Sequence, residues 1–559
     1  MASRDLAEKI KIGLTIGSIV VLFSSYILAV LKKRFKDNEE ANKLFLETPV
    51  LKLGQYSYNA IETFLALLIF LGAAGTVNYA SYSHMTNGTH IDEYDLMHYY
   101  VTPKYFSELG YFNLLPAILA ADEEMGRHCK RTTTHYLAQT ENDYAITPIS
   151  FALSQRDAVK SKFTPEKWKE FVHDVKYLQR DVKPMGCSLW RQLLLDHGFN
   201  GTPVWVLVAR PLTKLISIEN VRILTHLDLL WLVIALLSVN WAFGSRTAAI
   251  ALLFMTLSYS FRWPTVGWSL LRYDWISSII IGLSLLKKKK HTASGAFFAY
   301  AALMRYFPAI WMVGIVAKGI HELVTRKEIP VKKIWRRISP KYYKMALGFF
   351  ALSTLLLSIS FAVDGVDTHK QSLENMNAHV QPHNLSSRRM GFILAPVYRG
   401  ESDMKWISEE KKQMVEKIET PVRVFAIAVI IILGLFMTSL KDWEAVGLGF
   451  IPFFLLTTSS YYYYVVLLSG VVIHAKGFLK PWHLFGLISM FLIQLYFNAA
   501  EHFNPGMRYP TISIVCIMLS IYTLMILIFT GNIWYKNLKI KEAEIITPEK
   551  KRVKKSKKR

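Results

Sequence analysis

A run of acidic and aromatic residues extends from residue 92 to residue 106. The side chains in this run that could do chemistry are Asp92, Asp95, His98, Tyr99 and Lys104. A carboxylate can accept the proton of a hydroxyl group, and aromatic rings cover the apolar faces of sugars. The run therefore suits the handling of a sugar. An aromatic belt at a membrane interface, with solvated acids, is the alternative, and composition alone favours it.

Hydrogen-bond donors are also dense in a second polar segment, residues 364–420. They are Asn375, Asn377, His379, His383, Asn384, Arg388 and Arg389. Such donors suit a phosphate or a sugar as partner. A loop that is merely hydrated has the same composition, so both interpretations stay open.

Five charged residues lie in or beside apolar stretches: Arg262, Arg272, Arg305, Asp228 and Asp274. Ionisable residues in such places are candidates for a functional site. An arginine at the outer end of a membrane span can hold a phosphate at the membrane surface. For Arg272 and Asp274, a structural ion pair is an equally good interpretation.

The apolar residues that must position these groups arrive in long blocks. Hydrophobic residues make up 52% of the 559 residues, and the mean hydropathy is +0.24. Blocks of about 17–25 apolar residues match the thickness of a bilayer. The net charge of +24 is concentrated in short runs between these blocks, at 287–290, 318–344 and 536–559. This is the positive-inside pattern, so we predict a polytopic, all-α membrane protein and no nucleic-acid partner.

Placing the basic runs inside predicts the threading. Residues 1–57 form an uncleaved anchor span (12–30) and a cytoplasmic linker, 58–534 form the multi-span domain, and 535–559 form a basic cytoplasmic tail. Further full spans are predicted at 58–80, 221–243, 246–262, 268–286, 345–363, 422–440, 481–497 and 510–534. Residues 83–212 and 364–420 are then outer loops.

Two apolar stretches have cytoplasmic charge at both ends and cannot be single crossings. The stretch 291–319 has about 28 helical residues, too few for two crossings at 1.5 Å per residue. We predict a hairpin of two short helices broken at 305–308, where Pro308 disfavours helix at the preceding residue. A similar hairpin is predicted over 443–476, with its break at 457–464. Irregular backbone at membrane depth needs a wet cavity, so the two breaks predict an outward-facing cavity and about 11–13 membrane segments.

The large outer loop has helical signals of its own. A Thr-Pro-Glu start at 164–166 is followed by apolar residues on one helical face, and a second helix is predicted at 188–196. Cys129 and Cys187 both fall in this loop. They could form a disulfide in an oxidising compartment, and two free thiols are equally consistent with the sequence. The sequence has no CxxC or HExxH motif, so it gives no support for a zinc site.

Three features of the sequence are an acidic residue followed by tyrosine four residues later (Asp95, Tyr99), a hairpin over 295–308 and a second hairpin rich in serine and tyrosine. Together they resemble family 87 of the polyprenyl-phosphate-dependent glycosyltransferases, which belongs to the GT-C class. Residues 95–110, 196–205 and 305–308 resemble an uncharacterised bacterial branch of such proteins. The chain departs from the family pattern in its extra N-terminal span, and Asp92 competes with Asp95 as the acidic residue.

The resemblance implies a mannosyltransferase-like enzyme of a bacterial inner membrane. It would move a sugar from a polyprenyl phosphate to a lipid or cell-envelope glycan at the periplasmic loops, with no cofactor and no metal. Asp95, or Asp92, would take the acceptor's proton. The residues implied in substrate binding are His98, Tyr99, Lys104, Arg272, Asp274, Arg305, His379, Arg388 and Arg389, of which the arginines would stabilise the leaving phosphate.

Two other classes of function fit the same features. A transporter or flippase of a lipid-linked sugar also has broken helices around a midplane site. Carriers favour related halves, and the sequence has no convincing internal repeat. A non-catalytic scaffold would keep the fold and tolerate changes at both aspartates.

Overall fold

The computed structural model describes residues 2–34, 51–53, 56–81, 89–139 and 143–556. Regular structure in these ranges is almost entirely helical. Within the described ranges, eight helical segments are long and apolar enough to cross a membrane: Asp5–Leu28, Glu62–Ala80, Ile218–Phe243, Phe307–Thr325, Pro340–Val380, Glu409–Met437, Pro481–Phe503 and Arg508–Ile540. The predicted all-α polytopic membrane architecture is thereby confirmed in its coarse form.

The helices that build the bundle are Ala2–Arg34, Ala60–Ser81, Leu227–Phe243, Ser245–Leu257, Asp274–Lys287, His291–Arg305, Val313–Thr325, Pro340–Val380, Glu409–Met437, Asp442–Gly447, Phe450–Leu456, Leu467–Gly477, Pro481–Phe503 and Arg508–Ser556. Two of the predicted full spans, 246–262 and 268–286, are helices of only 13 and 14 residues. Both are shorter than a crossing, because the chain between residues 258 and 273 is irregular except for one short helix, Trp263–Val266. That irregular segment carries Arg262 and Arg272.

The second predicted outer loop contains helical structure. The long helix Pro340–Val380 is kinked at Gly365, which has a φ of +76° and lies next to the predicted end of the span at residue 363, so the second part of this helix falls in the predicted loop. Helix Glu409–Met437 also begins inside the predicted loop. The polar residues of these parts include good helix formers. Proline at 382 disfavours helix at the residue before it and marks where the irregular segment starts.

The first predicted hairpin is broken where the sequence indicated. Helix His291–Arg305 ends at Tyr306, which has a φ of +42°, and a 3-10 turn, Phe307–Met312, leads into helix Val313–Thr325. The second arm is longer than predicted, because the helix continues past residue 319 to Thr325. With its turn it reaches the length of a crossing.

The two ends of this first hairpin lie close to each other. Near its start, the carbonyl oxygen of Thr292 lies against Gly348, so closely that a Cβ atom there would be only 1.9 Å away. Near its end, Lys318 pairs with Asp442 at 2.7 Å, and Lys341 pairs with the same carboxylate at 2.5 Å. Because Lys341 lies two turns before Gly348 on one helix, both ends of the hairpin are at the same end of the bundle.

The second hairpin turns back in a similar way. Its helices, Phe450–Leu456 and Leu467–Gly477, are separated by a two-residue strand and a 3-10 turn over 459–466. At its open end, the ring of Trp443 lies 5.2 Å from that of Phe243, and Lys476 donates to the Phe243 carbonyl oxygen at 3.0 Å. The break includes the predicted segment 457–464 and continues to Val466.

The first outer loop folds into a helical domain. Its helices are Glu93–Leu96, Met97–Val101, Thr102–Lys104, Phe106–Leu109, Leu114–Glu124, Ile149–Ser154, Arg156–Lys160, Pro165–Lys176, Tyr177–Asp181, Cys187–Leu194 and Pro203–Leu215, with one antiparallel strand pair, His135–Gln139 and Tyr144–Pro148. The two predicted helices are confirmed, and Thr164 caps the first by accepting from the Lys167 amide. Its apolar face docks on helix Leu114–Glu124 rather than on a membrane surface.

The N-terminal helix is part of the bundle. It packs against helices Ala60–Ser81 and Pro481–Phe503. The Asn78 side-chain amide donates to the Ala7 carbonyl oxygen at 3.1 Å, and Glu8 pairs with Arg262 at 3.5 Å. The predicted linker at 35–50 lies outside the described residues. The basic tail continues the last helix as far as Ser556.

Cys129 and Cys187, which the sequence left unassigned, form a disulfide across 58 residues of the outer domain. A crosslink over a loop of this length restricts the unfolded chain and typically contributes about 2–5 kcal/mol. We expect Cys129→Ser with Cys187→Ser to lower the unfolding temperature of the purified protein, whereas Cys516→Ser, a change at the buried free thiol, leaves the crosslink intact. Non-reducing mass spectrometry that found both thiols free in the wild-type protein would contradict the assignment.

Candidate functional site

A cavity of about 430 Å³ opens where the outer domain meets the tips of both hairpins. Its wall includes eight residues that the sequence had singled out: Asp95, His98, Tyr99, Arg272, Arg305, His379, Arg388 and Arg389. They come from five separate parts of the chain. The fold therefore brings together side chains that are up to about 300 positions apart in sequence.

The start of the outer domain presents Asp95, His98 and Tyr99 to this cavity. The Asp92 carboxylate accepts from the Asp95 amide at 2.9 Å and so caps the short helix Glu93–Leu96. The chain then widens into a π-helical turn, Met97–Val101, which carries His98 and Tyr99. Turns of this kind are rare and occur often at functional sites.

Asp95 forms an ion pair with Arg272 inside the cavity wall. The distance from Arg272 Nε to Asp95 Oδ2 is 2.9 Å, and the two side chains are 5% and 10% exposed. The backbone of Arg272 is held in turn, because Asp228 accepts from the amides of Arg272 and Tyr273 at 2.9 Å. The buried aspartate within an apolar helix therefore fixes the segment that carries the arginine.

The ring of Tyr99 lies between two guanidinium groups. Arg272 lies 3.8 Å from the ring centre and Arg305 lies 5.6 Å from it. The Tyr99 hydroxyl donates to the Asn200 side-chain oxygen at 2.5 Å. Cations at these distances are attracted to the ring face. Tyr99 therefore keeps two like charges close together in one cavity, where both can reach an anion.

The buried environment shifts the protonation of the site. Burial raises the pKa of Asp95 above its ordinary value, and the Arg272 guanidinium only partly opposes this rise. Burial lowers the pKa of His98, so its imidazole is neutral at pH 7. Burial also raises the pKa of Tyr99, to about 12. The site thus combines a carboxylate that is more basic than usual with two cations.

Three of the predicted site residues lie outside the cavity wall. Asp92 serves as a helix cap. Lys104 is buried in the outer domain, where it pairs with Asp174 at 2.7 Å and Glu170 at 2.8 Å. Asp274 accepts from the Tyr300 hydroxyl at 3.0 Å. These polar residues are used within the fold, a role that composition alone does not distinguish from binding.

The interpretation of Arg272 and Asp274 as an ion pair is also wrong. The guanidinium of Arg272 turns to Asp95, which is far away in sequence. The two residues are only two positions apart, and the helix that begins at Asp274 directs their side chains to different partners. Sequence proximity was therefore a poor guide to pairing.

Several wall residues were not singled out as site residues: Asp196, His197, Asn200, Thr202, Ser372, Tyr462 and Tyr463. Asp196 and His197 follow helix Cys187–Leu194, and the break of the second hairpin supplies both tyrosines. A signal for the first group existed, since acidic and imidazole side chains directly precede Gly198, at the end of a predicted helix. Nothing in the spacing linked that helix end to Asp95.

The second polar segment reaches the cavity through a strand pair. Strand Arg389–Met390 pairs antiparallel with Ser459–Ser460 at the second hairpin tip. The two segments approach so closely at Gly391 that a Cβ atom there would lie 2.3 Å from the Thr457 carbonyl oxygen. Arg388 and Arg389 are thereby fixed beside the break, where both line the cavity.

The Asp95–Arg272 pair should show strong energetic coupling. Arg272→Gln leaves a buried carboxylate without its partner and should lower the free energy of unfolding by about 3–5 kcal/mol. The double variant Asp95→Asn with Arg272→Gln should lose less, because it removes both charges. Denaturant unfolding in detergent measures the difference. As a control, the corresponding single and double variants of the exposed pair Lys160–Glu124 should give a coupling energy in unfolding below about 1 kcal/mol. Simple additivity of the Asp95 and Arg272 effects would contradict the pair.

No protein-family model, curated protein or solved structure matches the chain. The resemblance to glycosyltransferase family 87 therefore remains a prediction based on short motifs. Among the described residues, no group of three or more His, Cys, Asp or Glu side chains could hold a metal ion.

Proposed function

We propose that the protein is a membrane glycosyltransferase, which moves a sugar from a polyprenyl-phosphate donor to a hydroxyl group of a lipid or cell-envelope glycan on the non-cytoplasmic face. The observation that carries this proposal is the Asp95–Arg272 pair, in a cavity that also contains Arg305 and Arg389. A base beside several cations is what transfer from a phosphate ester requires.

In the proposed reaction, the acceptor hydroxyl attacks the anomeric carbon of the donor sugar. The new bond joins the hydroxyl oxygen to that carbon, and the bond from the carbon to the phosphate oxygen breaks. Asp95 takes the hydroxyl proton as general base. The polyprenyl phosphate leaves with the bonding electrons, and Arg272 and Arg305 stabilise the negative charge that develops on it.

The two arginines suit this task because they are already in position. Arg272 Nη1 and Arg305 Nε are buried, and neither has a hydrogen-bond partner among the residues that the structure describes. Buried donors without partners are costly to a protein, so they favour an anionic ligand that accepts from them. Preorganised cations of this kind often supply the largest part of catalysis.

Transport of a lipid-linked sugar is the second candidate function. It is favoured by one observation, the meeting of two broken hairpins at a single cavity. A carrier does not need a base paired with cations. We therefore prefer transfer as the function. Flux of a labelled polyprenyl-phosphate sugar through proteoliposomes, with no glycosylated acceptor formed, would favour the carrier instead.

Asp95→Asn should lower the rate of transfer by about 10²–10⁴-fold, the usual contribution of a general base, while the protein stays folded and inserted. Asp92→Asn is the matched variant three residues away. Asparagine also caps helices well, and position 92 lies outside the cavity wall, so this variant should retain transfer. Product formation from labelled donor measures both. Undiminished transfer in a variant that carries both substitutions would sink the assignment.

The raised pKa of Asp95 predicts how the rate depends on pH. The base must be deprotonated to act, so kcat/KM should fall as the pH is lowered through the pKa of Asp95. The midpoint of this fall should lie above about 3.9, the value for an unperturbed aspartate. A profile measured in membranes with saturating acceptor tests this. A rate that stayed constant down to pH 4 would contradict the role of Asp95.

A further inference from the structure

One side of the cavity carries hydrogen-bonding groups that the proposed transfer does not use. We call it the polar wall, and it is formed by Tyr94, His98, Asp196, His197 and His379. Direct contacts link Arg305 to Tyr99, Tyr99 to Arg272, and Arg272 to Asp95. His98 lies one turn beyond Asp95 and 3.6 Å from Asp196. Asp95 is therefore at the junction between a cationic side and the polar wall.

His98 is the member of the wall that most needs a ligand. Its side chain is only 2% exposed, it lines the cavity, and neither ring nitrogen has a hydrogen-bond partner within the described parts of the chain. Asp196 Oδ2 approaches the ring, but at 3.6 Å from Nε2 it is beyond hydrogen-bond distance. A neutral imidazole has one donor and one acceptor nitrogen, which is the pattern of a hydroxyl group.

The rest of the wall is held rigidly. The Tyr144 hydroxyl contacts His379 Nδ1 at 2.5 Å and donates to the Asn375 side-chain oxygen at 3.0 Å. Asn375 in turn donates to the Phe199 carbonyl oxygen at 2.8 Å. The rings of His197 and His379 lie 5.3 Å apart. Tyr144 thus positions the His379 ring, and the His197 ring packs against both Tyr144 and His379, so both imidazoles are preorganised for binding.

The charges of the wall favour a neutral ligand. Asp196 is the carboxylate of this side, and its side chain is 37% exposed, so it can be reached from the cavity. Arg389 lies close enough to Asp196 for their charges to interact. The charge of Arg389 offsets that of Asp196, and Arg388, which also lines the cavity, is exposed and therefore screened by solvent. On the other side, the two buried cations Arg272 and Arg305 face the single carboxylate of Asp95. An anionic group would therefore prefer the other side.

We propose that the polar wall binds a neutral pyranose ring and that this ring belongs to the acceptor. Asp196 accepts hydrogen bonds from its hydroxyl groups, and His98 and His379 supply a donor or an acceptor each. Sugar binding at the polar wall does not depend on the proposed transferase function. Only the assignment of this sugar to the acceptor rests on that function. It adds the chemical class that the acceptor must present beside Asp95, an uncharged sugar rather than a lipid hydroxyl or a uronic acid.

Binding can be tested without turnover. The probes are methyl α-D-mannopyranoside, methyl β-D-glucopyranoside and, as the charged comparison, methyl β-D-glucuronide. Saturation-transfer difference NMR with the full-length protein in nanodiscs, which contain no sugar-based detergent, detects weak binding. We expect at least one neutral glycoside to give a saturable signal that exceeds that of the glucuronide.

Asp196→Asn should weaken binding of that glycoside about 10- to 100-fold, the effect of losing a charged acceptor. His379→Gln should weaken it as well, which protects the test if one variant misfolds. Asp181→Asn and His173→Gln are matched controls on exposed parts of the outer domain and should have no effect. Equal binding in wild type and both wall variants, or a preference for the glucuronide, would overturn the proposal.

The outcome separates this inference from the proposed function. If Asp196→Asn weakens glycoside binding but no polyprenyl-phosphate sugar supports transfer, the wall is a sugar site and the transferase proposal fails. If transfer proceeds and Asp196→Asn changes neither the acceptor KM nor glycoside binding, the transferase stands and the assignment of the wall is wrong.

Discussion

The pairing of Asp95 with Arg272 is the constraint around which the site is organised. Two buried charges are stable only if each has a partner and if the backbone of both is fixed. Asp92 fixes the turn that carries Asp95, and Asp228 fixes the backbone of Arg272. The pair therefore joins the outer domain to the irregular segment between two short membrane helices, and the cavity forms around that junction.

The two broken hairpins explain why a wet cavity can exist at this position. Backbone groups without helical partners are expensive within a bilayer, so a break in a helix must face protein or water. At the first break the buried Arg305 lines the cavity, and the second break is paired with strand Arg389–Met390. Charges at the opposite ends of both hairpins hold them in place, with Asp442 between two lysines as the central contact.

Within the cavity, charge is distributed unevenly. Arg272 and Arg305 flank Tyr99 on one side, and imidazoles with one exposed carboxylate form the other. A donor with a phosphate and an uncharged sugar would each find the side that suits it. Asp95 lies between them, where a proton must move when one sugar is joined to another.

Much of this protein was predictable from the sequence because bilayer thickness and the side preference of basic residues are strong, local constraints. They were sufficient for the membrane class and the positions of both helix breaks, and the residue run at 92–106 pointed to Asp95. These constraints were insufficient to predict which polar side chains contact each other. Asp95 contacts Arg272 across almost 180 positions, and Lys104 and Asp274, equally polar in sequence, are used inside the fold. Which polar groups face one cavity depends on how helices pack over long distances, so only the tertiary structure decided it.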